Sequence, residues 1–129
     1  MPQRTGRFPQ AGRLRRSAEF QDVTRRGRRA PGDAFVVIAA ERRGVAAARQ
    51  GSRLGITVSR KVGHAVVRNR VKRRVREWFR VHRNTLGEQL DWVVIGRAPA
   101  GQLTREAAEA ELSRLSQLAM RSGGLTGAA

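Results

Sequence analysis

The stretch from Ala65 or Val66 to about His82 constrains this chain more than any other. Val67, Val71, Val75, Trp78 and Phe79 recur there at i, i+4, i+8, i+11 and i+12, the spacing that gathers them on one face of an α-helix. Such a stripe has to be covered by another layer of structure. The other side is equally one-sided: advancing 100° per residue, Arg68, Lys72, Arg73, Arg76 and Arg80 fall within an arc of roughly 140° that also holds Asn69. Arg70 and Arg74 lie further round, where their stems can cover apolar surface while their heads reach water or phosphate. One helix therefore buries one face and is cationic on another.

The elements around it read from periodicity and breakers. Ser17 is an N-cap for a short helix that carries Glu19, sets Phe20 and Val23 on one face and stops at Gly27. Ala34–Ala40 is β-branched and aromatic, and Arg53–Ser59 alternates with period two, so both read as strands. The long connection from Glu41 to Ser52 suits an antiparallel hairpin between them. Asp91–Gly96, DWVVIG, is nearly continuous apolar sequence, as a strand buried on both faces requires. After Pro99 and Gly101, Thr104 serves as N-cap, Glu106 suits the first turn, and Leu112, Leu115 and Leu118 or Ala119 supply the stripe of a last helix. That helix is mixed in charge on its exposed side and reads as structural. The order α-β-β-α-β-α gives an α+β fold, a helix layer over a small sheet. Residues 13–121 form the expected domain, with 1–12 a disordered basic tail and 122–129 a flexible one.

Charge narrows the function. The chain has 27 Lys plus Arg against 10 Asp plus Glu, a formal net charge of +17. Eleven cations face one acid, Glu77, between Arg53 and Arg83, whereas four cations face five acids from Asn84 onward. A local surplus of this kind suits a polyanion whose condensed counterions are released on binding. Only Lys61 and Lys72 are lysines, so most of the surplus is guanidinium, which grips phosphate bidentately. The absence of cysteine excludes disulfides and thiolate metal sites and points to a reducing compartment, expected to be the cytoplasm. The longest apolar run, Ala34–Ala40, is far too short to cross a bilayer, so no membrane association is expected.

The segment Arg53–Arg80, RLGITVSRKVGHAVVRNRVKRRVREWFR, resembles the signature of the bacterial ribonuclease P protein subunit: a strand, a basic loop with Gly, then a helix opening on Arg68-Asn69-Arg70. The likeness extends to Leu14–Gln21 and to Asp91–Thr104, and covers roughly Arg13–Met120. It implies a two-layer α/β sandwich with a small mixed sheet, in which the basic helix makes a left-handed crossover between parallel strands, against the usual hand. It also implies an accessory subunit of an endoribonuclease, whose catalytic centre lies in an RNA partner and removes the 5′ leader of precursor tRNA. Arg60, Lys61, Arg68, Asn69, Arg70, Lys72, Arg73 and Arg76 are then expected to bind the catalytic RNA. Phe20, Ser59 and Arg60 are expected to hold the leader, with Phe20 offering a π-face or an apolar wall, ordinary core packing being its alternative role, and the strand end reaching phosphates. Mg²⁺ is expected on the RNA and the substrate, with no protein metal site and no catalytic residue.

Two positions depart from the family pattern. Thr24 stands where a second aromatic usually follows the first by one helical turn, and Ile38 stands where a Tyr is frequent. A leader cleft built this way leans less on stacking and more on charge. His64 and His82 flank the basic segment and could in principle serve as an acid–base pair, but no clustered carboxylates accompany them. Phe35, Trp78, Phe79 and Trp92 all fall on faces expected to be buried and are assigned to the core. A general RNA-binding or ribosomal protein could use the same basic helix. A DNA-binding regulator fits less well, because a strand rather than a helix leads directly into it.

Overall fold

The computed structural model describes residues 17–42, 51–87 and 90–121. The tails expected at 1–12 and 122–129 lie outside them. Seven regular elements follow in order: α1 (Ser17–Arg26), β1 (Arg28–Pro31), β2 (Phe35–Glu41), β3 (Arg53–Val58), α2 (Ala65–His82), β4 (Leu90–Gly96) and α3 (Arg105–Arg121). Short 3-10 turns at Arg60–Val62, Arg83–Thr85 and Ala98–Gln102 join them. The α+β reading stands, with one strand more than the sequence suggested. β1 is only four residues long, two of them Arg, and lacks the alternation that marks a strand. Its Pro31 sits on the sheet edge, where a missing N–H breaks no ladder bond.

The four strands are ordered β1-β2-β4-β3. β1 and β2 form an antiparallel hairpin, and β2 pairs antiparallel with β4 from Phe35 opposite Gly96 to Glu41 opposite Leu90. β3 pairs parallel with β4, Arg53 opposite Asp91 and Val58 opposite Gly96, so α2 is the crossover between neighbouring parallel strands. The expected β2–β3 hairpin therefore does not form. β4 is apolar toward both faces and takes the central slot between them, where both of its edges are paired.

Each sheet face carries its own core. Phe35, Val37 and Ala39 of β2, Leu54 of β3, and Trp92 and Val94 of β4 pack with Val71, Val75, Trp78 and Phe79 of α2 and with Ala108, Leu112, Leu115 and Ala119 of α3. Trp78 and Trp92 are 1% exposed and still satisfy their indole N–H groups, on Ser113 Oγ at 2.9 Å and the Leu86 carbonyl at 3.2 Å. Ala119, not Leu118, packs into the core, followed by Met120, and Leu118 is exposed. α3 begins as expected, with Thr104 Oγ1 accepting from Ala107 N at 3.0 Å. On the opposite face, α1 lays Val23 over Val36, Ile38, Ala40 and Val93, with Phe20 and Ile95 at the margin.

A buried ion network ties that margin together. Arg53 grips Asp91 bidentately, Nε to Oδ1 and Nη2 to Oδ2 both at 2.8 Å, and reaches Glu19 of α1 through Nη1 at 3.2 Å. Arg42 donates to Asp91 Oδ1 at 3.2 Å and to the Gly51 carbonyl. The two guanidiniums shift in opposite directions. Burial pushes Arg42 below its usual value, because its side chain is fully enclosed and it faces Arg53 and Arg83 besides Asp91. The hydrogen bonds to Asp91 hold Arg53 above its usual value. Both remain charged at neutral pH.

Candidate RNA interface

The cationic strip begins where β3 ends. Ser59 N donates to the Gly96 carbonyl at 3.0 Å, prolonging the sheet by one bond, and Ser59 Oγ accepts from Lys61 N at 3.1 Å. This cap turns the chain sharply and leaves Arg60 and Lys61 exposed. Gly63 then takes φ +148°, and an added Cβ there would stand 3.0 Å from Val67 Cβ, so the loop closes tightly onto α2. His64 lies at the N-cap of α2 without a side-chain capping bond.

Along α2, Asn69, Arg70 and Arg73 are exposed, and Arg68, Lys72 and Arg76 are half-buried. Among the described residues, Arg60, Lys61, Arg68, Lys72, Arg73 and Arg76 make no ion pair and donate no side-chain hydrogen bond. Among the described residues their charge has no carboxylate paired with it. Arg80 differs: it pairs with Glu77 one turn before, which raises its own pKa and holds the Glu77 carboxyl below the usual carboxylate range. Arg70 keeps the solvent access expected of it, Arg74 is half-buried, and both also bind backbone. Their guanidiniums donate to the carbonyls of Gly101 at 3.2 Å and Leu103 at 2.7 Å, anchoring the turn that leads into α3.

The second expected surface is the sheet face under α1. Residues opposite in register share a face, so Val36, Ile95 and Thr57 line up across β2, β4 and β3 next to the strip covered by Val23. Thr57 is exposed and Ile95 half-buried, so the floor is open toward Ser59 and Arg60. Phe20 forms the wall: it is half-buried, packing on this cluster with part of its ring left accessible. Thr24 points its hydroxyl back to the Phe20 carbonyl at 2.8 Å. Ile38 is fully buried beneath α1 and not part of the open floor.

The family described as Ribonuclease P matches the chain over residues 8–119. The chain belongs to the ribonuclease P protein family. The ribonuclease P protein component of Desulfovibrio desulfuricans is 43% identical over 95 residues, 74% of this chain and 71% of that protein. The ribonuclease P protein structure from Staphylococcus aureus superposes with a TM-score of 0.74 at 33% identity, covering 84% of this chain and 94% of that one. The corresponding structure from Thermotoga maritima gives 0.68 at 31% identity, covering 81% and 96%.

The open floor also has charged margins that local sequence pattern does not reveal. Arg97, two residues beyond Ile95, is exposed at the same end of the sheet as Ser59, with Nη1 3.0 Å from the Gly32 carbonyl. Arg28 and Arg29 of β1 are exposed on the other edge. The Pro31-Gly32 dipeptide was the signal for that hairpin. Conversely, Arg53 lies among the cations of the basic segment but is buried and committed to Asp91 and Glu19. His64 and His82 sit at opposite ends of α2, about 27 Å apart at 1.5 Å per residue, and cannot act on one scissile bond. His82 is further engaged, its Nδ1 2.9 Å from the Trp78 carbonyl. Among the described residues there is no group of three or more His, Asp or Glu side chains able to hold a metal ion, and no helix long and apolar enough to cross a membrane.

Proposed function

We propose that this chain is the accessory protein subunit of a cytoplasmic ribonucleoprotein enzyme that removes the 5′ leader from precursor tRNA. The row of cations from Arg60 along α2 with no carboxylate paired to them among the described residues is the observation that carries the reading. Arg60, Lys61, Arg68, Asn69, Arg70, Lys72, Arg73 and Arg76 bind the catalytic RNA, with Arg70 also holding the turn before α3. Bidentate guanidiniums neutralise its phosphates and release condensed counterions, so affinity falls steeply with salt. Phe20, Ser59 and Arg60 border the open sheet face, which takes the leader as an extended strand. Apolar floor, one accessible ring and charged margins suit leaders of many sequences, because none of them demands a particular base. Bond cleavage belongs to the RNA, and Mg²⁺ is held by the RNA and the substrate. The protein lowers the electrostatic barrier to bringing two polyanions together.

The test is cleavage of precursor tRNA by a bacterial ribonuclease P RNA at low Mg²⁺, with and without this protein, on substrates with long and absent leaders. The protein should restore cleavage by about tenfold or more, the equivalent of roughly 1.4 kcal/mol, and favour the long leader. RNA binding that leaves cleavage unchanged would assign the chain to general RNA binding instead.

A further inference from the structure

α3 reads from its sequence as a structural helix, yet its first turns border a groove that nothing in the fold consumes. The groove encloses about 430 Å³ between α2 and α3, and every residue lining it is charged: Arg70, Arg73, Arg74 and Glu77 from α2, Arg105 and Glu109 from α3. Four guanidiniums against two carboxylates leave a formal surplus of two positive charges. Arg70 and Arg74 are committed to the carbonyls of Gly101 and Leu103, and Glu77 is paired with Arg80. Arg73 and Arg105 are exposed, and among the described residues neither donates a side-chain hydrogen bond; Arg105 is near enough to help hold the Glu77 carboxyl low, but that carboxylate is hydrogen-bonded to Arg80.

We propose that the catalytic-RNA contact does not end on α2, and that one strand of RNA backbone crosses this groove with Arg73 and Arg105 on consecutive phosphates. The proposal rests on the reading of α2 as an RNA-binding face and extends it to a second helix. The anchored pair, Arg70 and Arg74, holds the groove walls, and Arg73 and Arg105 present guanidinium forks beside it that no hydrogen bond to the protein occupies. Arg105 also opens α3, where the partial positive charge of the helix end adds to its own. Glu77 and Glu109 limit capacity: a surplus of two charges suits about two phosphates of one strand and disfavours a second row alongside.

The experiment measures affinity of the full chain for a bacterial ribonuclease P RNA across a salt series. Arg105→Gln is compared with Arg114→Gln, which removes the same charge from the opposite side of α3, and with Arg68→Gln on α2. Both positions on α3 are exposed, so unfolding temperatures should match the unsubstituted chain. Arg105→Gln should weaken binding several-fold and reduce the slope of log K against log salt by about 0.7–0.9, the value of one phosphate contact. Arg114→Gln should leave the slope unchanged. Equal slopes for Arg105→Gln and Arg114→Gln, with Arg68→Gln weakened, overturn the groove while the α2 face stands. If Arg68→Gln also binds normally, the α2 reading fails and the groove fails with it.

Discussion

Asp91→Asn tests whether the ion network beneath α1 is a structural keystone. Asp91 is 4% exposed at its side chain and is shared by Arg53, 9% exposed, and Arg42, which is fully enclosed. Asparagine keeps the volume but removes the charge, and its amide would present N–H groups to a guanidinium that has only donors. Removing one partner of a buried pair costs about 3–5 kcal/mol, because the remaining charge is left uncompensated in a poorly solvated site. Here Glu19 stays beside Arg53, which places the loss near the lower end, about 3 kcal/mol. At roughly 4–8 °C per kcal/mol for a domain of this size, the melting temperature should fall by about 12–24 °C. Urea unfolding followed by circular dichroism measures the loss, with an unchanged m-value as the check on two-state behaviour. The loss should persist in high salt, since buried pairs are poorly screened. Glu19→Gln removes a contact whose carboxylate is one-third exposed, so losing that pair should cost about 0.2–1 kcal/mol. A loss under about 1 kcal/mol for Asp91→Asn, or an equal loss for Glu19→Gln, would refute the reasoning.

Three further outcomes follow from particular contacts. Glu111 Oε2 accepts from both Ala34 N and Phe35 N at 2.9 Å, so Glu111→Ala should destabilise by about 1.5–3 kcal/mol and raise amide exchange at those two residues. Gly63→Ala meets both a left-handed backbone and the Val67 side chain; it should cost about 1–3 kcal/mol in urea unfolding and weaken catalytic-RNA binding by displacing Arg60 and Lys61. Carbon-detected NMR titration should find the Glu77 carboxyl below its ordinary midpoint, and Arg80→Gln should return it upward. A depressed folded-state pKa means the pair stabilises above the unfolded carboxylate value and is lost as pH falls through the folded one. With both side chains about 40% exposed, solvent and salt screen the pair, and its contribution to stability is small.

Local pattern was sufficient for much of this protein. The 3.6-residue spacing from Val67 to Phe79 located α2, and the same stripe identified Trp78 and Phe79 as core. Thr104 marked the start of α3, and the two-faced apolar run at Asp91–Gly96 marked a strand with neighbours on both sides. The chain from Arg53 to Arg80 carried the family likeness, because its loop and helix cations are spaced along contiguous sequence. Strand pairing was beyond local pattern. β2 and β3 each look ready for a hairpin, and only the burial of both faces and both edges of β4 explains why it comes between them. β1 was invisible for a related reason: four residues with two arginines become a strand only when β2 offers them a ladder. Charge shows the division most clearly. The sequence determined how many guanidiniums the chain carries and where they cluster, since composition counts every one alike. Only the tertiary structure decided that Arg53 and Arg42 are enclosed around Asp91, that Arg70 and Arg74 hold a turn, and that Arg73 and Arg105 line one groove. A charge acts on a ligand only when the fold leaves it unpaired, and pairing depends on distances between residues far apart in the chain.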